Sequence, residues 1–280
     1  MDNSVRIPKL IYGTAWKKEK TSSFVVKAVK HGFRGIDTAC QPRHYFEPGV
    51  GQALKELQVL GISRNELYLQ TKFTPISGQD PNNIPYDPSA SLHEQVIQSF
   101  EVSKKNLGTD VIDCLILHSP LNTHDETMQA YRAMEVVVVQ GGVKQLGVSN
   151  CYDLKTLQLL YHDAIVKPVV LQNRFYKETN FDKDLRLFCI EHKMVYQSFW
   201  TLTANPTLLH SKVILEIATA INKTPEQILF RYLTQVGVAP LTGTTSEAHM
   251  MEDLAIFTFE LSESDVSNIS ELLLGYKRHQ

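Results

Sequence analysis

The sequence predicts an α/β fold of the (β/α)8 type, a TIM barrel, formed as one domain over residues 1–280. Two observations lead there. Short apolar runs alternate with helix-length segments eight times along the chain. Polar and aromatic residues then gather at the C-terminal ends of those runs, the end at which such barrels carry their sites.

The runs are LIYGTA (10–15), FRGIDTA (33–39), ELYLQTKF (66–73), VIDCLILHS (111–119), VKQLGVSN (143–150), VVLQNRF (169–175), MVYQSFW (194–200) and VGVAPLTGT (236–244). They are continuous rather than alternating, as expected of parallel strands covered on both faces. The segments between them carry helix signals. Ser91-x-x-Glu94 is a capping box, and Gly108 closes the segment that follows. Thr224, Pro225 and Gln227 mark another start. LKTLQLLYH, LRLFCIEHK and SDVSNISELLL are further helices by their spacing. The run GVGQAL (49–54) lacks the third glycine of a dinucleotide fingerprint and opens a helix, which argues against an open Rossmann sheet. The turn-rich segment 75–91 is long for a connector and is a candidate binding loop.

With 43% hydrophobic and 21% charged residues, the chain has the composition of a folded globular protein. A net charge of −2 with no basic block gives no footing for nucleic acid or an anionic membrane surface. No apolar run approaches the roughly 20 residues of a membrane span. MDNSVRIPK has no apolar signal-peptide core. Cys40, Cys114, Cys151 and Cys189 are scattered without metal or disulfide spacing, so reduced thiols in a cytoplasmic protein are expected, with no metal. No surplus apolar stripe demands a partner, which fits a monomer or weak homodimer.

The strand ends supply Gly13-Thr14 leading to Trp16, Asp37-Thr38, Thr71-Lys72, His118, Ser149-Asn150, Gln172-Asn173, Phe199-Trp200 and Thr242 to Thr245. Asp37, Lys72 and His118 end three successive strands. With a tyrosine they suit proton donation to a carbonyl. A phenol has a pKa of about 10, an adjacent ammonium lowers it, and a carboxylate keeps that ammonium charged. A histidine can orient the substrate oxygen.

GTAW (13–16), GFRGIDTA (32–39), GVGQAL, TK (71–72), LILHSP (115–120), LGVSN (146–150) and LQN (171–173) occur in order at these strand ends. On them the chain resembles the aldo-keto reductase superfamily over nearly its whole length. The resemblance implies a (β/α)8 barrel that binds extended NAD(P)H and transfers hydride to an aldehyde or ketone. It implies a catalytic set of Asp37, Lys72, His118 and a tyrosine. The family's DTAxxYxNE pattern is displaced here. Pro42 occupies the usual tyrosine position, and Tyr45-Phe46-Glu47 reads as the shifted YxNE piece. Tyr45 is therefore the expected proton donor, with His44 the alternative when the loop is counted back from Gly51.

For the cofactor, the resemblance assigns Ser149, Asn150 and Gln172 to the nicotinamide carboxamide, and Phe199 or Trp200 to stacking on its ring. Thr14 and Asp37 border the same site. Thr242, Gly243, Thr244 and Thr245 offer groups to phosphate at a helix start. His249 falls near a 2′-phosphate contact, and Glu252 with Asp253 at the adenine. Leu241 stands where relatives often have a lysine for the 2′-phosphate, so NADPH is favoured and NADH remains possible. The end LLLGYKRHQ is shorter than the substrate-covering loop of many relatives. A small-molecule carbonyl substrate, broad or bulky, is expected against Trp16, Tyr45, Phe73, His118, Trp200 and parts of loop 75–91. Two other readings compete: a cofactor-binding regulatory subunit of the same fold with little turnover, and a metal-dependent hydrolase, for which only Asp37 and His118 stand as ligands.

Overall fold

The computed structural model describes residues 5–275. Residues 1–4 of MDNSVRIPK and residues 276–280 of the tail lie outside the described residues. The eight apolar runs form eight strands, β1 (Ile11–Gly13), β2 (Gly35–Asp37), β3 (Tyr68–Phe73), β4 (Ile112–Leu117), β5 (Val143–Ser149), β6 (Val170–Arg174), β7 (Val195–Phe199) and β8 (Val238–Thr242). All pair in parallel and in chain order, and β8 returns to β1 to close a (β/α)8 barrel. Closure removes every sheet edge and buries both strand faces, which explains runs without polar alternation.

The two helices whose caps the sequence predicts begin at Ser91 and Thr224. α1 (Thr21–His31) and α2 (Glu47–Val59) follow the first two strands. α3 (Leu92–Leu107) starts at the Ser91 capping box and ends at Gly108 in the left-handed conformation. α4 (His124–Val139), α5 (Leu154–Asp163) and α6 (Lys183–Glu191) cover the next strands. The β7–β8 connection holds α7 (Pro206–Leu209), α8 (Lys212–Ile221) and α9 (Pro225–Gln235), the last capped by Thr224 with Gln227. α10 (Glu247–Leu254) and α11 (Glu263–Gly275) complete the described chain. None of the described helices is long and apolar enough to cross a membrane.

The glycines of GVGQAL serve packing. A Cβ on Gly51 would stand 2.1 Å from the Asn106 carbonyl oxygen at the end of α3. The bare Cα lets α2 approach α3, and α2 begins two residues after Tyr45.

Most core side chains lie between barrel and helices. Inside the barrel a smaller apolar layer of Ile11, Tyr68, Cys114, Ile116 and Val170 fills the lower half. Above it the interior turns polar. Gln70, Gln172 and Gln197 are all buried and linked: the Gln70 and Gln172 amides each donate to Gln197 Oε1, at 2.8 and 2.9 Å, and Gln197 donates back to Gln70 Oε1 at 2.9 Å. This ring of amides is the floor of the site.

Candidate active site

Asp37 ends β2 and rests on that floor. Its Oδ1 accepts from Gln70 Nε2 at 2.6 Å and from Gln172 Nε2 at 2.9 Å. Lys72 lies two residues beyond Gln70 on β3, so the strand's period of two points both side chains inward. Lys72 Nζ donates to Asp37 Oδ1 at 2.6 Å, to Oδ2 at 2.7 Å and to the Thr38 carbonyl at 2.9 Å. All three ammonium hydrogens are thereby committed. Burial lowers the Lys72 pKa, and the Asp37 charge opposes that shift.

His118 follows β4. Its Nδ1 lies 2.6 Å from the buried Thr74 hydroxyl. When that hydroxyl donates, Nε2 carries the hydrogen and becomes a donor to the cleft. Burial, then the charges of Lys72 and His44, push the imidazole well below its usual pKa, so it is neutral at physiological pH. The Asn150 amide donates to the His118 carbonyl at 2.9 Å and fixes the strand end.

Tyr45 joins them from the β2–α2 loop. Its ring lies 5.1 Å from Lys72 Nζ and meets His118 edge to face, with centroids 6.1 Å apart. Its hydroxyl has no hydrogen-bond partner among the described residues. Two residues on, Glu47 clamps the loop: buried, it accepts from Thr71 at 2.6 Å, Ser103 at 2.8 Å and Asn106 at 3.2 Å. The expectation that the ammonium lowers the tyrosine pKa is overturned. On balance burial, first, and then the Asp37 charge raise it, outweighing the pull of the ammonium. Tyr45 is held as a neutral phenol, the form that gives a proton. His44 takes a different place, stacked against Trp16 with centroids 4.0 Å apart, at the rim.

These groups open into a cleft of about 740 Å³. Asp37, Tyr45, His118, Ser149, Asn150, Gln172, Phe199, Trp200, Thr242, Gly243 and Thr244 line it, as do Trp16 and Leu241. Trp16, Asn150 and Trp200 hold φ of 65°, 51° and 54°, a left-handed backbone that costs of order 1 kcal/mol or more for such residues.

Several expected residues stand elsewhere. Phe73 follows Lys72 on β3, so it points outward, is 1% exposed and packs on Tyr86. It does not line the cleft. Thr14 is buried, its hydroxyl spent on the Asp37 carbonyl at 2.8 Å. Loop 75–91 folds back on the barrel, with Tyr86 donating to the Thr74 carbonyl at 2.7 Å and Gln79 to the Cys40 carbonyl at 2.9 Å; none of its residues lines the cleft. Asp253 is on the inner face of α10, accepting from Thr242 Oγ1 at 2.7 Å, so it turns away from any surface ligand. Thr245, His249 and Glu252 are exposed outside the cleft, Thr245 just before the rim helix α10 and His249 and Glu252 on it.

Residues not anticipated complete the site. Lys17 is buried, pushed down to about 8 by that burial, and donates to the Gly243 carbonyl at 2.7 Å. It sets a cation under the β8 end of the cleft. Gln70 and Gln197 support Asp37, and Arg174 lines the mouth. The signal for the glutamines was their period-two spacing with Lys72 and Phe199 inside apolar strands.

The arrangement suits an elongated, phosphate-bearing nicotinamide cofactor. Gln172 keeps its Oε1 without a partner among the described residues, beside Asn150 and Ser149. At the other end stand Lys17 and the start of α10, where the acidic Glu247 is neutralised by Lys27 at 2.7 Å and met by His31 at 3.2 Å.

A closed parallel barrel with a Tyr–Lys–Asp–His cluster at its C-terminal mouth defines a barrel oxidoreductase. Comparison with known proteins agrees. The Aldo/keto reductase family model matches residues 9–274, and the chain belongs to that family. The oxidoreductase YtbE of Bacillus subtilis is 30% identical over 97% of this chain and 91% of its own length. Glyoxal reductase of the same organism is 31% identical over 91% of this chain and 83% of its own. A crystal structure of an aldo/keto reductase from Brucella melitensis superimposes with a TM-score of 0.80 at 30% identity, covering 97% of each chain. The protein is an NAD(P)H-dependent oxidoreductase of the carbonyl-reducing kind.

Proposed function

We propose that this enzyme reduces aldehydes and ketones to alcohols with Tyr45 as proton donor. The observation that carries the reading is the unpartnered Tyr45 phenol beside the Lys72–Asp37 pair and His118. The bound cofactor supplies hydride from its nicotinamide ring. The chain's own residues do the rest. Ser149, Asn150 and the free oxygen of Gln172 hold the carboxamide, and Phe199 with Trp200 walls the ring. Neutral His118 donates from Nε2 to the substrate oxygen and orients it against the Tyr45 hydroxyl. Tyr45 gives up its proton as negative charge develops on that oxygen. The Lys72 ammonium, kept charged by Asp37, stabilises the phenolate left behind.

NADPH is the favoured cofactor and NADH a usable one. Lys17 and the Thr242–Thr245 turn receive the diphosphate, and exposed His249 favours the additional phosphate of NADPH. The mouth, walled by Trp16 and Trp200 at 60% and 51% exposure, suits broad or bulky carbonyl compounds. Glyoxal, named for the Bacillus relative, is a natural first test. The intact cluster disfavours a non-catalytic regulatory role. Four free, buried cysteines suit a cytoplasmic enzyme, and we assign it as a monomer or weak homodimer.

The test is the initial rate of NADPH oxidation with glyoxal and with benzaldehyde. Steady turnover supports the reading. Tight NADPH binding without turnover on a panel of reactive aldehydes would favour the regulatory-subunit reading.

A further inference from the structure

Arg174 ends β6 at the cleft mouth, two residues beyond Gln172, so it points the same way along the strand. It is the only lysine or arginine among the residues lining the cleft, and the sole carboxylate there, Asp37, is already bound to Lys72. No ion pair engages Arg174 among the described residues, and its Nε is buried without a partner. Its guanidinium is nonetheless fixed in place. Its Cζ lies over the Trp200 ring, 4.3 Å from the ring centroid, and over the Tyr176 ring at 5.2 Å. Its backbone N–H donates to the Tyr152 hydroxyl at 3.1 Å, which in turn donates to Asn150 Oδ1 at 3.2 Å.

A guanidinium stacked by its face keeps its edge free, and that edge matches a carboxylate with two parallel hydrogen bonds. Holding a charged group beside Trp200, with one N–H shielded from water and unsatisfied, is unfavourable unless something completes it. His44 and His118, the other basic side chains of the mouth, are both held below the usual histidine pKa by burial first. Arg174 is therefore the permanent positive charge among the described residues that line the cleft.

Resting on the carbonyl-reductase reading, we propose that Arg174 selects substrates bearing a carboxylate. The enzyme's preferred class would be aldehydo or keto acids, with the acidic group on Arg174 while the carbonyl reaches Tyr45 and His118.

The test compares 3- and 4-carboxybenzaldehyde with their methyl esters, which keep the ring and the position of the substituent but lose the charge; the ester's stronger electron withdrawal is the same for every enzyme form and cancels when wild type is compared with the variants. The probe is kcat/KM with NADPH for wild type, Arg174→Gln and Arg174→Lys. Charge-assisted hydrogen bonds of this kind correspond to about 10- to 100-fold in kcat/KM. The expected result is an acid-over-ester ratio of that order for at least one isomer in wild type, falling toward one in Arg174→Gln and partly restored in Arg174→Lys. The wild-type ratio should also shrink with added salt, a readout that needs no variant to fold. Benzoate should inhibit ester reduction in wild type and more weakly in Arg174→Gln. Esters and acids reduced equally well by wild type, at low and high salt, would overturn the role of Arg174 and leave the reductase reading intact. No reduction of any of the four aldehydes would overturn both.

Discussion

Lys72 Nζ lies 2.6 and 2.7 Å from the two carboxylate oxygens of Asp37, and both side chains are sealed from solvent. A buried pair of this kind holds two charges that neither partner tolerates alone. Removing one leaves the other uncompensated, at a cost of about 3–5 kcal/mol. Asp37→Asn and Lys72→Met should each lower the melting temperature by several degrees and reduce kcat at least 100-fold. Thermal melts beside initial rates check this. Either variant at wild-type stability would contradict the pair's structural weight.

Gly51 tests the packing that positions the Tyr45 loop. Its Cβ position stands 2.1 Å from the Asn106 carbonyl oxygen, so Gly51→Ala must push α2 away from α3. Overpacking of this kind costs about 1–3 kcal/mol. Urea unfolding should show that loss, and the displacement of α2 should reduce kcat more than it raises KM for cofactor. Unchanged stability would mean that the helices yield without strain.

The strands and capped helices were legible in the sequence because local chemistry specifies them. Continuous apolar runs marked all eight strands, and the Ser91 and Thr224 boxes appear where their spacing predicts. Asp37, Lys72 and His118 could be found as strand-end residues. Side-chain direction was harder. Phe73 was expected in the cleft, yet its neighbour Lys72 faces inward, so Phe73 must face the helices. Asp253 was expected at the adenine, but the helical period of α10 turns it toward Thr242. Segment 75–91 reads as a loop in sequence, and only the bonds of Tyr86 and Gln79 to backbone carbonyls show that it is fastened down. Arg174 shares the period-two spacing of Gln172 on β6, but its meaning, like that of Lys17, lies in the rings and carbonyl that they meet.

Asp253 gives a pH-dependent stability. Burial raises its pKa from 3.8 to about 6, against the pull of the Thr242 hydroxyl. Between those values the folded state binds more protons than the unfolded state, so this group's contribution to stability falls as pH rises, and is lost above about 6. Asp253→Asn keeps an acceptor for Thr242 and removes the charge. The variant should gain on wild type by up to about 3 kcal/mol as pH goes from 4 to 7.5, measured by urea unfolding at both values. A constant difference across that range would contradict the assignment.

His118 acts in the opposite sense. Its folded pKa is depressed, so the unfolded chain binds the extra proton below about 6.5, and stability is lost as pH falls through that value. His118→Gln should flatten this acid loss. In wild type the rate should hold steady from neutrality to mild acidity, because Tyr45 stays a phenol and His118 stays neutral there.

On the proposed reading Lys17 serves the diphosphate and His249 the 2′-phosphate, and the two roles can be told apart. Lys17→Met should weaken NADPH and NADH about equally, by roughly tenfold, as expected for loss of one charge-assisted contact. His249→Ala should weaken NADPH alone. Fluorescence titration of the purified protein with each cofactor measures both. Equal loss of the two cofactors in His249→Ala would remove that residue from the 2′-phosphate.

The most direct test of the account is a single-turnover measurement of hydride transfer from NADPH to a reactive aldehyde, with wild type, Tyr45→Phe and His44→Ala side by side. The Tyr45 hydroxyl is neutral and has no hydrogen-bond partner among the described residues, whereas every Lys72 ammonium hydrogen is committed, so Tyr45→Phe should lose about 10²- to 10⁴-fold in the chemical step, while cofactor binding stays within a few-fold. His44→Ala should change the rate by no more than a few-fold, since His44 is stacked on Trp16. Full activity in Tyr45→Phe, with collapse in His44→Ala, would contradict the account and move the proton donor to the rim.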